Sequence, residues 1–294
     1  MKSQFDLSNY PLWTALVTPF DADDNVDYNT LEQLVNEQQQ ANNGILILGS
    51  TGEGLALDKH EQRAIVEYVS ALAPTVPLMV AVGGFNLQEQ LAWIEFCNTL
   101  AIDAYLLGSP VYAKPGDVGQ TQWFDALLSK AQKPCMLYNV PGRSAVSITP
   151  KVLKNLQHHD NFWAIKEASG DIATFEAFRN AAPNIAIYSG DDGLMPYFAQ
   201  AGAAGLVSVA ANAWPEQTAE FVRRSLAGTF PNLFTTWTSA VNSLFSVANP
   251  IPVKVLMHAQ GKLATPHLRP PLTHLELPCT QALHSANDSI LSWN

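Results

Sequence analysis

Trp163-Ala164-Ile165-Lys166-Glu167 is an apolar run that ends in two charged residues. A helical stretch, Ile172–Ala181, follows it, and then a second short apolar run, Ala186-Ile187-Tyr188-Ser189. Short apolar runs of this length read as strands covered on both faces, the mark of parallel pairing. Parallel neighbours need a crossover, most often a helix. Working outward in both directions, the same unit recurs. Strands are expected at Leu12–Thr18, Gly44–Leu48, Leu78–Val82, Ala104–Leu107, Cys135–Asn139, Trp163–Glu167, Ala186–Ser189 and Gly205–Val209. Helices are expected between and after them at Tyr28–Gln40, Asp58–Leu72, Leu87–Thr99, Gly119–Ala131, Thr149–Leu156, Ile172–Ala181, Gly193–Ala201 and Pro215–Ala227. Asp58 with Glu61 has the spacing of a capping box. Thr149-Pro150 pairs an N-cap residue with proline at the first helical position. Eight such units predict an α/β fold, a (β/α)₈ TIM barrel, with a doubly wound open sheet as the alternative.

The alternation stops near residue 228. Phe230–Val247, Ile251–Gln260 and Cys279–Ser292 read as helices with no strand between them, separated by Asn249-Pro250-Ile251-Pro252 and Arg269-Pro270-Pro271. Residues 1–228 are therefore expected to form the catalytic barrel and 229–294 a C-terminal helical region packed on it.

Composition excludes several classes of function. The 294 residues carry a formal charge of −10 and no stretch dense in Lys or Arg, so nucleic acid and anionic membrane surfaces are poor partners. No apolar run reaches the roughly 18–20 residues that span a bilayer, and Met1-Lys2-Ser3-Gln4-Phe5-Asp6 lacks the basic and apolar regions of a signal peptide. A cytoplasmic location is expected. Cys97, Cys135 and Cys279 show no ligand spacing and read as reduced, mostly buried thiols. His60, His158, His159, His258, His267, His274 and His284 form no metal pattern either; no metal and no cofactor is expected.

Functional groups of a TIM barrel collect at the C-terminal ends of its strands. Lys166 stands at one of them, while the other nine lysines fall in helices or loops. Desolvation there disfavours an ammonium over the amine, and a neutral amine attacks carbonyls and holds an imine. An ion pair with Glu167 is the structural alternative, but adjacent strand residues point to opposite faces. Gly49-Ser50-Thr51-Gly52-Glu53-Gly54 is a small-residue turn whose glycines permit positive φ and close approach of backbone to a ligand, and whose N–H groups suit a carboxylate or phosphate; an ordinary tight turn reads equally well. Tyr138 is either a buried structural phenol or a proton relay. Arg143, in the Val140-Pro141-Gly142-Arg143 loop, is either solvated surface or a bidentate carboxylate ligand near the mouth.

Together, Gly49-Ser50-Thr51-Gly52-Glu53, Tyr138-Asn139-Val140-Pro141-Gly142-Arg143, Ile165-Lys166-Glu167-Ala168-Ser169-Gly170-Asp171, Ser189-Gly190-Asp191-Asp192 and Asn249-Pro250-Ile251-Pro252-Val253-Lys254 closely resemble the 4-hydroxy-tetrahydrodipicolinate synthase (dihydrodipicolinate synthase) family from about Leu12 to Arg269. The resemblance implies a lyase of the Schiff-base-forming class I aldolase type, in the diaminopimelate route to lysine. Lys166 would condense with pyruvate, whose carboxylate would rest against Ser50 and Thr51. The resulting enamine would attack L-aspartate 4-semialdehyde. Tyr138, Ser50 and Tyr112 would move protons, with Tyr112 reaching the site of a neighbouring subunit, so a homodimer or homotetramer is implied. Arg143 would bind the semialdehyde carboxylate, and the backbone of Gly190 and Val207 would line the pyruvate pocket.

Two departures stand out. Ser50 replaces the usual threonine, and Gly-Ser-Thr-Gly-Glu is also common in sister pyruvate aldolases such as N-acetylneuraminate lyase and the lyases of 2-keto-3-deoxy sugar acids; Arg143 argues for the synthase. A catalytically dead regulatory paralogue would be expected to lose Lys166, Tyr138 or Arg143. The positions that align with the lysine-effector pocket of sensitive members are Gly54, Leu55, Lys59, Gln62, Asn86, Gln90 and Val111, and only Asn86 keeps the usual residue type. Weak or absent inhibition by lysine is expected.

Overall fold

The computed structural model describes residues 5–229 and 234–293. Eight strands close into one all-parallel barrel in sequence order: β1 (Leu12–Ala15), β2 (Gly44–Ile47), β3 (Leu78–Val82), β4 (Ala104–Gly108), β5 (Cys135–Asn139), β6 (Phe162–Glu167), β7 (Ala186–Ser189) and β8 (Gly205–Ser208). β8 returns to pair with β1 through Leu206 and Leu12. The barrel is thus the architecture, and the open sheet is excluded.

The period-two alternation of each strand builds two cores. One set, including Trp13, Leu46, Met79, Ala104, Met136, Ala164, Tyr188 and Val207, fills the barrel interior. The other set packs under the surrounding helices, with Ile45, Val80, Tyr105, Leu137, Ile165 and Leu206 among its members. Parity then decides where the site residues point. Lys166 lies two residues beyond Ala164 and so shares its inward face, while Glu167 turns outward. Register sets Lys166 beside Tyr138 of β5 and Tyr188 of β7.

Helix boundaries follow local chemistry. Tyr28–Gln40 is capped by Asp27, whose carboxylate accepts from the Thr30 N–H at 3.0 Å. Asp58 and Glu61 form the reciprocal capping box ahead of Lys59–Ala71. Thr149 caps Pro150–Leu156, and Gly228 ends Pro215–Ala227 in the left-handed region. β1 stops three residues short of the expected Thr18. The Leu16 N–H still donates to the Leu46 carbonyl; beyond it the chain turns to side-chain partners: the Val17 N–H donates to Asn212 Oδ1 and Thr18 Oγ1 donates to the Gly52 carbonyl. Pro141–Ser144, expected as loop, forms a helical turn because Pro141 occupies its first position and the Ser144 N–H donates back to the Val140 carbonyl.

After residue 229 the described helices are Phe234–Leu244, Ile251–Ala259 and Gln281–Leu291; the start of the expected Phe230–Val247 helix lies outside the described residues. Trp237 stacks on Phe221 of the last barrel helix at 4.1 Å, and its Nε1 donates to the Asp192 carbonyl at 2.9 Å. Lys254, fully buried, reaches back to Glu53 Oε1 at 2.7 Å and to the Thr18 carbonyl at 2.9 Å. Desolvation lowers the pKa of this lysine, and Glu53 opposes that shift. These contacts tie the C-terminal helices to the same end of the barrel as Lys166. No described helix is long and apolar enough to cross a membrane. Cys97 and Cys135 are buried, and burial pushes the Cys97 thiol up to about 12; Cys279 is exposed beside the start of the last helix.

Candidate active site

Lys166 is 6% exposed and its Nζ lies 4.4 Å from the centroid of the Tyr138 ring. Its chain neighbour does not neutralise it. Glu167 accepts from Asn139 Nδ2 at 2.7 Å and from the Ser169 N–H at 2.6 Å, on the other face of β6. Burial raises the Glu167 pKa, those two bonds hold it down, and the Asn139 amide links the ends of β5 and β6 behind the lysine. Gly190, at the end of β7, makes room for the lysine arm. A Cβ there would sit 2.8 Å from Lys166 Cε, 3.1 Å from its Cγ and 2.7 Å from Ala168 Cβ.

In the turn after β2 the glycines do not supply the positive φ they permit. The positive φ angles fall on Leu48 (60°) and Glu53 (55°), not on glycine. Gly52 and Gly54 serve close backbone packing instead. A Cβ on Gly54 would lie 2.0 Å from the Leu48 carbonyl oxygen, and one on Gly52 2.8 Å from that of Leu16. Strain of this kind concentrates at functional turns. Gly54 and Glu53 donate back to the carbonyls of Gly49 and Ser50, closing the turn. Among the described residues, the N–H groups of Ser50 and Thr51 have no acceptor, so the turn presents two donors and two hydroxyls.

A cleft of about 350 Å³ opens at this end of the barrel, and Ser50, Tyr138 and Arg143 all line it. Lys166, whose Nζ lies over the Tyr138 ring, is not among the residues that line the cleft, and neither are Thr51, Gly190 and Val207. Thr51 is 4% exposed and accepts from Asn249 Nδ2 at 3.0 Å, and the Asn249 carbonyl accepts from Arg143 Nη2 at 3.0 Å. One asparagine of the Asn249-Pro250-Ile251-Pro252 run therefore positions both the hydroxyl turn and the guanidinium. Its role was not legible in the sequence, although the run itself was. Ser109, also on the cleft wall, carries a buried hydroxyl with no hydrogen-bond partner among the described residues. Val207 is buried in the barrel interior, one strand from Gly190.

Tyr112 is not brought to Lys166 of its own chain. It is 88% exposed, with φ of 70°, and the Ala113 N–H donates to the Val111 carbonyl across it at 2.8 Å. That is a γ-turn of the positive-φ kind, rare and strained for a non-glycine residue. It holds the phenol outward.

Asp192, also unassigned from sequence, is fully buried just beyond Gly190. It accepts from Ser208 Oγ, the Val209 N–H at 3.0 Å and the Ala210 N–H at 3.3 Å. Burial raises its pKa to about 6. It locks β7 to the segment after β8. The adjacent His158 and His159 converge with Asp125 at the opposite end of the barrel, a grouping that no sequence spacing shows.

The positions aligned with an effector pocket border the same cleft: Gly54, Leu55, Gln62, Gln90 and Val111 line it. Gln62 is occupied by the carbonyls of Gly54 and Leu57, and Asn86 by capping the helix Leu87–Cys97.

The model of the dihydrodipicolinate synthetase family matches residues 10–289. The 4-hydroxy-tetrahydrodipicolinate synthase of Francisella tularensis subsp. novicida (strain U112) is 49% identical over 286 residues, covering 97% of each chain. Among solved structures, dihydrodipicolinate synthase DapA-2 from Bacillus anthracis superposes with a TM-score of 0.90 at 32% identity, covering 95% of this chain and 98% of that one. The synthase from Cyanidioschyzon merolae, solved with lysine bound, superposes with a TM-score of 0.90 at 28% identity, covering 96% and 98%. With its motifs, its barrel and its near-complete overlap with these relatives, the chain belongs to the dihydrodipicolinate synthetase family.

Proposed function

We propose that this chain condenses pyruvate with L-aspartate 4-semialdehyde through an imine on Lys166. The observation that carries this reading is a buried amine at a barrel strand end, packed on the Tyr138 ring and accommodated by Gly190. Lys166 Nζ attacks the pyruvate C2 carbonyl and water leaves, giving a protonated imine. That imine draws electrons from C3, and loss of a C3 proton yields an enamine. The enamine forms a carbon–carbon bond to the semialdehyde aldehyde carbon. The amino group of the former semialdehyde then adds to C2, Lys166 leaves as a free amine, and the six-membered ring closes as 4-hydroxy-tetrahydrodipicolinate.

The residue roles are those that the family resemblance implies. The Ser50 and Thr51 hydroxyls and N–H groups meet the pyruvate carboxylate. Tyr138 and Ser50 relay protons, since both border the cleft. Arg143, exposed at the cleft wall but anchored on Asn249, offers its remaining donors to the semialdehyde carboxylate. The backbone of Gly190, against which the Lys166 arm packs, and that of Val207 line the pyruvate pocket. Tyr112 completes the relay in the site of a second copy, so the working form is an assembly of at least two chains. Tyr112, Phe85 and Leu55 all carry exposed side chains, and the Val111 N–H donates to the Gly84 carbonyl, which ties the two loop segments that bear Tyr112 and Phe85.

Borohydride reduction in the presence of pyruvate, followed by mass spectrometry of peptides, tests the central step. A reduced three-carbon adduct is expected on Lys166; an unmodified Lys166 refutes it. Arg143→Ala is expected to raise KM for the semialdehyde while imine formation with pyruvate persists. An unchanged KM removes Arg143 from that role.

A further inference from the structure

We propose that Asp125, His158 and His159 form a site for a first-row divalent transition metal, such as Zn²⁺ or Co²⁺, at the N-terminal end of the barrel. Asp125 lies on the helix Asp117–Lys130 that leads into β5, and the two histidines occupy the turn that leads into β6. One ligand atom from each residue falls within 4.8 Å of the other two. Asp125 Oδ1 is 2.9 Å from His159 Nε2 and 3.4 Å from His158 Nε2.

The hydrogen bonding of His158 is the deciding observation. Its Nδ1 lies 2.9 Å from the Asn155 carbonyl oxygen. A carbonyl only accepts, so Nδ1 carries the hydrogen. A neutral imidazole has one N–H, which leaves Nε2 with a bare lone pair facing a carboxylate oxygen. Two lone pairs at that distance repel unless a positive charge sits between them, either a second ring proton or a metal ion. A backbone carbonyl on the far nitrogen is the arrangement that orients metal-bound histidines. The spacing also fits an ion. Bonds of about 2.0–2.2 Å at tetrahedral angles place donor atoms roughly 3.3–3.6 Å apart; the 3.4 Å pair already matches, and the 2.9 Å pair, now a hydrogen bond, opens by about half an ångström to admit the ion. Imidazole and carboxylate donors together suit Zn²⁺, Co²⁺ or Ni²⁺. His158 and Asp125 have exposed side chains, at 63% and 49%, so water can enter and fill the remaining positions.

The metal would act as a clamp. Asp125 belongs to the unit that delivers Tyr138, and the His159 carbonyl accepts from the Phe162 N–H at 3.0 Å, at the first residue of the strand that delivers Lys166. An ion bound here ties those two units together on the face remote from the cleft. It adds stability without entering the imine chemistry.

The test uses the untagged full chain carrying Cys279→Ser, because that exposed thiol is another metal ligand. Zn²⁺ alone is titrated by calorimetry and Co²⁺ by its visible absorption, and thermal unfolding is followed with and without Zn²⁺. One ion per chain is expected, with a few degrees' rise in the unfolding midpoint at saturation. His158→Gln, His159→Gln and Asp125→Asn should each weaken binding at least about tenfold and abolish the thermal rise. Activity with pyruvate should persist after chelation. His158 is exposed, so its substitution leaves folding intact and keeps the test decisive. Absence of binding, with His158 found doubly protonated at neutral pH, would replace the metal with a proton. Binding that all three variants leave unchanged would place the ion elsewhere. Either result overturns the proposal.

Discussion

Gly190→Ala probes the fit between the barrel and its lysine. The added Cβ would lie 2.8 Å from Lys166 Cε and 2.7 Å from Ala168 Cβ. Ordinary carbon contacts are about 3.5–4.0 Å, so Cε must retreat by roughly 1 Å. The lysine arm can swing, but Ala168 Cβ is fixed to the backbone beyond β6 and cannot. Overpacking of this kind costs about 1–3 kcal/mol of stability. The larger effect is on chemistry. Misplacing a reacting atom by about 1 Å can cost on the order of 100-fold in rate, close to 3 kcal/mol of barrier. The assay compares steady-state kcat/KM, the rate of borohydride-trapped imine formation, and the unfolding midpoint. A loss of about 100-fold in kcat/KM is expected, with imine formation slowed in parallel. Gly193→Ala is the control, since a Cβ there meets Asp191 Oδ1 at 3.4 Å and Val241 at 3.7 Å, distances the surroundings can accept. A folded Gly190→Ala enzyme within about threefold of the parent would refute the packing argument, because a 1 Å shift should cost far more.

Lys254→Met leaves the Glu53 carboxylate buried with, among the described residues, only the Arg269 N–H, at 2.7 Å, as hydrogen-bond partner. Destabilisation by roughly 3–5 kcal/mol is expected in urea unfolding, and Glu53→Gln with Lys254→Met should recover part of it. Asp192 makes stability depend on pH. Its pKa is about 6 when folded against 3.8 ordinarily, so the stability it contributes is present below 3.8 and is lost as pH rises through 6. The stability deficit of Asp192→Asn, measured by urea unfolding, should therefore be about 2 kcal/mol smaller at pH 7 than at pH 4.5; a deficit independent of pH would contradict the buried, protonatable carboxyl. L-Lysine should not half-inhibit the enzyme below about 1 mM. Gln90 lacks a carboxylate for the effector's ammonium, and Gln62 is already held by two backbone carbonyls. Half-inhibition at lower concentration would show that another group receives the effector.

Much of this was legible in the chain alone, and for a physical reason. Each βα unit is a local event, written as an apolar run, a cap and an amphipathic stretch. Asp58 with Glu61, Thr149-Pro150 and the end of Pro215–Ala227 therefore fell where sequence placed them. Strand parity also forecast that Lys166 and Glu167 would part company, and Asn139 with Ser169 now accounts for the glutamate. What remained hidden depends on residues distant in sequence. Asn249 joins Thr51 to Arg143, Lys254 finds Glu53, and Asp192 grips the segment after β8; none of these pairings has a spacing that repeats. The same is true of Asp125 with His158 and His159, which a histidine count along the chain passes over. The glycines of the turn after β2 show the limit most plainly. Sequence allowed them positive φ and close backbone approach to a ligand, yet Leu48 and Glu53 carry the positive φ while Gly52 and Gly54 clear backbone contacts that only the closed barrel creates. Sequence by itself determined the eightfold alternation and the lysine at a strand end, because both follow from short-range periodicity. Only the tertiary structure decided which groups surround that lysine, because closure of the barrel brings together side chains whose contacts no local pattern encodes.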